Sequence, residues 1–201
     1  MLHINYFSRI KQIKSHSKLK SIQILFFCLC FLFFLNSIHA QIYIGDKCTI
    51  SFFSETKLEN IDATNSITKP ILSLKTGAFA IKASQNAFVF KSSFMQEHYN
   101  ENYVESEKYP YATFTGKINE AIDDTKDQVN QVTITGTLNM HGVDQTRTIA
   151  GTIEVKAGKL ILNSTFDVKV VDHKIKVPSL YIEKIAEVIK VTFSAELVKK
   201  Q

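Results

Sequence analysis

Few side chains in this sequence can do chemistry, and their spacing limits what that chemistry could be. Beyond residue 40 there are three histidines (His98, His141 and His173), one cysteine (Cys48) and one arginine (Arg147). A histidine metal site needs ligands at short spacing, such as His-x-x-x-His on a helix. These three are widely scattered, so no metal is expected. A thiol nucleophile needs a base and a turn that exposes it. Cys48 instead sits in an alternating run, with Ile50 and Phe52 on its side and Thr49 and Ser51 opposite, and reads as a buried apolar residue. Asp123, Asp124 and Asp127 lack the glycine and closing glutamate of a calcium loop and read as a charged hairpin end. No catalytic residue or cofactor is therefore assigned, and the chain is not expected to be an enzyme. A competing reading, catalysis through His98 or His141, requires a second titratable group within hydrogen-bond reach. His98, Tyr99, His141 and Arg147 remain as polar groups suited to holding part of a ligand.

These residues need a scaffold, and residues 1–40 are not expected to belong to it. Arg9, Lys11, Lys14, Lys18 and Lys20 form a basic segment without acids, followed by twelve apolar residues from Ile24 to Leu35. That run is shorter than the roughly twenty residues of a membrane helix and matches an export signal. Cleavage is expected after Ala40, leaving residues 41–201 as one domain, exported to the periplasm or secreted, with no stable membrane span. Cys28 and Cys30 lie inside the apolar run, which disfavours a lipid-anchored form. The whole chain has 24 Lys and Arg against 19 Asp and Glu. Removing the five basic residues of the leader leaves 19 against 19. Without a basic surplus, nucleic-acid binding loses its electrostatic support.

Period-two alternation runs through the rest. Strands are expected over 47–55, 57–65, 71–76, 78–84, 86–91, 111–118, 132–140, 147–155, 159–168 and 187–199. Between them stands one helical stretch, about 92–103. There Phe94, Met95, His98, Tyr99, Asn102 and Tyr103 recur at three- and four-residue steps behind Ser92 and Ser93 as N-caps. Tyr109-Pro110 then forces extended backbone. Tight turns joining regular strands predict an all-β fold, an antiparallel up-and-down barrel or sandwich rather than α/β. Closing the sheet hides its edges.

Two segments resemble the YceI-like family. The first is the apolar-Met-x-x-His pattern of Phe94, Met95 and His98, followed by Glu105-Ser106-x-x-Tyr109-Pro110 and then a strand with Phe114-Thr115-Gly116. The second is Gly136-Thr137-Leu138-Asn139-Met140-His141-Gly142-Val143, which is similar to that family's G-x-L-x-x-H-G-V element. The resemblance implies a lipocalin-like barrel of about eight strands, with the helix near its mouth and an apolar interior that holds a polyisoprenoid or similar lipid. Tyr99 departs from the pattern, where phenylalanine often follows the histidine.

The residues themselves offer walls for such a guest. Phe52, Phe79, Phe88, Phe90, Phe94 and Phe114 fall on inward phases, with Ile81 and Leu138 beside them and Met95 and Met140 as flexible apolar surface. Gly136 and Gly151 interrupt apolar faces. They either leave room for a ligand or mark close packing against a neighbour. His98 is the best candidate to face the guest, while His141 beside Gly142 suits a turn residue bonded to backbone. Arg147 fits a phosphate head group and an ion pair equally well. The expected partner is an apolar small molecule, for transport, storage or protection. A ligand-free interaction protein of the cell envelope is the competing class, and a homodimer is left open.

Overall fold

The computed structural model describes residues 41–178 and 183–200. The expected leader lies outside the described residues, as does part of the loop expected over 180–186.

The alternating runs form ten antiparallel strands: β1 (Ile42–Glu55), β2 (Asn60–Asn65), β3 (Ile71–Ser73), β4 (Ala78–Ser84), β5 (Val89–Phe90), β6 (Tyr111–Ile118), β7 (Gln128–Met140), β8 (Val143–Lys156), β9 (Lys159–Lys169) and β10 (Val188–Lys199). They make eight staves of a closed barrel, because two staves are each built from two segments. β1 pairs with β3 at Ile44–Ile71 and with β2 at Ile50–Asn65, so the register is kept across the break. Asn65 stabilises that break. Its Oδ1 accepts from the Ile67 amide and the Thr68 hydroxyl, and its Nδ2 donates to the Ser84 carbonyl. β4 and β5 form the other split stave, separated by a 3-10 turn over Gln85–Ala87. β10 closes the ring on β1, from Tyr43–Lys199 to Phe53–Lys190. β1 begins at Ile42, ahead of the expected start, because a bulge between Gly45 and Lys47 breaks the alternation there.

The short helix α1 (Ser93–His98) is capped by Ser92, whose hydroxyl accepts from the Met95 amide. It continues as a π-helical turn over Tyr99–Tyr103, so the expected helix is present but widens at its second turn.

One end of the barrel is filled by its own side chains. Tyr43, Leu72, Ile118, Val132, Ile153, Val155, Leu160, Leu162 and Leu197 are all buried in one cluster. The acidic loop seals this end. The Tyr43 hydroxyl donates to Asp124 Oδ2 at 2.7 Å, and Lys199 Nζ lies 3.8 Å from the same carboxylate. Burial and Asp124 raise the Tyr43 phenol to about 12, so it stays a donor. Asp124 is thus an anchor rather than a solvated hairpin residue. Cys48 is buried in the same cluster, its thiol pushed up to about 11 by desolvation.

Candidate binding cavity

Toward the other end the inward side chains do not meet. They leave a cavity of about 390 Å3, within the range of small-molecule pockets. Its wall is the inward phase of the strands, among them Ile50 and Phe52 on β1, Phe79, Ile81 and Ala83 on β4, and Ile134, Leu138 and Met140 on β7. Two flaps complete it. The first holds Phe94, Met95, His98, Tyr99, Tyr103 and Val104. The second is made by described residues of the β9–β10 connection, Val170, Ile175, Val177, Lys184 and Ile185. The second flap is fastened where the Ala186 amide donates to the buried Ser54 hydroxyl at 2.9 Å. Phe94 and Lys184 belong to the wall and are exposed, so the cavity reaches the rim.

The rings are arranged in two groups. Phe52 is central to the upper one, with centroids 5.5 Å from Phe88, 5.7 Å from Phe90 and 5.5 Å from Tyr99. Phe79, with Phe114 at 6.3 Å and Phe193 at 6.1 Å, forms the lower one. Phe52 and Tyr99 are stacked, and the other pairs are tilted or edge-on, the arrangements that aromatic rings prefer.

Of the fifteen residues expected to meet a ligand, twelve line this cavity: Phe52, Phe79, Ile81, Phe88, Phe90, Phe94, Met95, His98, Tyr99, Phe114, Leu138 and Met140. Gly136, Arg147 and Gly151 do not. A Cβ on Gly136 would stand 2.3 Å from the Thr115 carbonyl oxygen, and one on Gly151 2.5 Å from that of Asn163. These glycines let neighbouring strands approach and leave no room for a guest. Arg147 donates to the Asp167 carbonyl at 3.0 Å and reaches Asp172 at 3.4 Å, tying β8 to the base of the second flap. His98 stacks on Phe94, with ring centroids 4.1 Å apart, at the rim.

Other wall residues escaped the sequence reading. Phe166, Val191 and Phe193 obey the alternation and could have been found from it. Ile175 and Val177 alternate with the exposed Lys174 and Lys176, but the run is too short for its period alone to mark it as wall. Gln85 is the least legible. It is almost fully buried, and its Oε1 accepts from the Tyr99 hydroxyl at 2.6 Å. Burial holds the Tyr99 phenol far above its ordinary range, so it remains protonated.

A model of the YceI-like domain matches residues 37–197. The chain belongs to the YceI-like family. Similar solved structures include a polyisoprenoid binding domain from Saccharophagus degradans, implicated in plant cell wall breakdown. It has 14% identity and a TM-score of 0.69, covering 80% of this chain and 99% of that one. BcnA of Burkholderia cenocepacia has 14% identity and a TM-score of 0.64, with 74% and 95% covered. The YCEI protein of Campylobacter jejuni has 18% identity and a TM-score of 0.53, with 65% and 78% covered. At these identities the likeness is one of fold. No curated protein matches the sequence. The YceI-like barrel is therefore shared.

Proposed function

We propose that this YceI-like protein is an exported, non-enzymatic carrier that holds a polyisoprenoid or similar long apolar molecule, for its transport, storage or protection. The observation that carries this reading is the rim-reaching cavity, walled almost wholly by aromatic and aliphatic side chains. Each methylene buried there contributes about 0.8 kcal/mol, so a chain of several isoprene units binds without a polar anchor. The placement of two histidines supports a binding role rather than catalysis. His141, which meets a carboxylate, lies outside the cavity wall, and His98 stacks on Phe94. The basic, acid-free leader with its short apolar run supports export.

The test is mass spectrometry of the organic extract from protein purified out of its own cell envelope. A stoichiometric apolar chain is the expected result. Protein that comes out empty, and that takes up no isoprenoid when offered one, would overturn the assignment.

A further inference from the structure

His141 occupies a position that the carrier reading leaves unused. Its ring joins three segments of the mouth. Nε2 lies 2.6 Å from the Glu105 carboxylate, directly after the wall residues Tyr103 and Val104 of the first flap. Nδ1 lies 3.1 Å from the carbonyl oxygen of His173, between the wall residues Val170 and Ile175 of the second flap. His141 itself follows Met140 at the β7–β8 turn. Carbonyl and carboxylate oxygens only accept, so satisfying both contacts requires hydrogen on both ring nitrogens, which is the imidazolium form.

Among the described residues four non-glycine positions have positive φ, and Glu105 (45°), His141 (54°) and Lys174 (56°) are three of them. At His141-Gly142 they are what a two-residue hairpin turn between the paired Met140 and Val143 requires, as at Ala157-Gly158. Tyr109 stacks on the imidazole with centroids 4.5 Å apart. A Cβ on Gly142 would stand 2.6 Å from that ring, so the glycine is needed for it to fit. The two sequence elements, Glu105-Ser106-x-x-Tyr109-Pro110 and His141-Gly142, are thus halves of one joint.

We propose that His141 is a positioning residue, a charge-dependent clasp that holds both flaps over the cavity and sets how fast the guest leaves. The proposal rests on the carrier reading for the guest alone. When the imidazolium loses its proton, one of the two acceptors is left without a hydrogen and the flaps part more readily. The groups facing the ring are Glu105 and Tyr109 from the first flap, with Lys108 over the Tyr109 ring at 4.9 Å. From the second flap come the His173 carbonyl and, behind it, the buried His173 ring, Asp172 and Arg147. Of these, Glu105 is the carboxylate in direct contact.

The test is stopped-flow release of the uncharged fluorophore N-phenyl-1-naphthylamine at about pH 5.5 and about pH 8.5. Release from the wild type should be about tenfold or more faster at the higher pH, the weight of one charge-assisted hydrogen bond. His141→Gln should release fast at both. Glu105→Gln should release slowly at both, because its amide can donate to neutral Nε2 and restore the clasp. Hydrogen exchange at the Val104 and Ile175 amides, corrected for intrinsic pH dependence, gives the same comparison without a guest. It decides the matter if a variant fails to fold or the probe does not bind. Failure of the probe to bind any form counts against the carrier reading. A flat wild-type profile in release and in exchange, or equal profiles in wild type and His141→Gln, overturns the clasp.

Discussion

At the residue scale, the wall and the closed end respond differently to charge. Phe90 is 9% exposed and packs on Phe52 and Tyr99. A carboxylate there would have to be desolvated beside the guest, at a cost of several kcal/mol. Phe90→Asp should therefore abolish retention of the co-purified lipid. Asp123→Asn should leave it intact, since Asp123 only caps its own loop at Thr125. Equal retention in both, read by extraction and mass spectrometry, would count against the proposed guest site. His173 gives a pH prediction. Burial lowers its pKa most, with Arg147 adding to the effect, while backbone carbonyls of Val143 and Met140 oppose it. A base held neutral in the folded state binds fewer protons than in the unfolded chain. Its contribution is whole above the ordinary value of 6.5 and is lost as the pH falls below it. The urea midpoint of the wild type should therefore drop more between pH about 7.5 and about 5 than that of His173→Gln.

At the element scale, the strands were readable because their period is two and one face is buried. The helix was readable because its apolar residues step by three and four. Where the period fails, at the Gly45–Lys47 bulge, local pattern carried no signal, and the three- and four-residue steps through Tyr103 did not distinguish a π-helical turn from an α-helix. The glycines are an element-scale matter too. Gly116 and Gly136 are directly opposed across β6 and β7. Gly136→Ala should force these strands apart and cost roughly 1–3 kcal/mol as overpacking, visible as a lowered melting temperature. An unchanged melting temperature would show that the strands have room to move.

At the scale of the whole barrel, closure joins the first and last described strands, β1 against β10, so the cavity exists only once the most distant pairing has formed. Such non-local pairing makes folding slow. The proposed export predicts that material recovered from outside the cytoplasm begins at Gln41, as N-terminal sequencing will read it. A first residue of Met1 would contradict it. None of the helices among the described residues is long and apolar enough to cross a membrane.

Alternation, turn chemistry and helical spacing were enough to specify an antiparallel barrel or sandwich with one helix and most of an aromatic wall, because those patterns record which side of the backbone faces water; the closed barrel with the helix at its mouth came from the family resemblance. They record nothing about depth along the barrel axis or about what stands on the neighbouring strand. Only the tertiary structure decided that one end is solid and the other hollow, that Gly136 and Gly151 serve close strand approach, and that Arg147 and His141 are bound to backbone and carboxylates outside the wall. Burial is set by position along one strand, but space is set by all the strands at once.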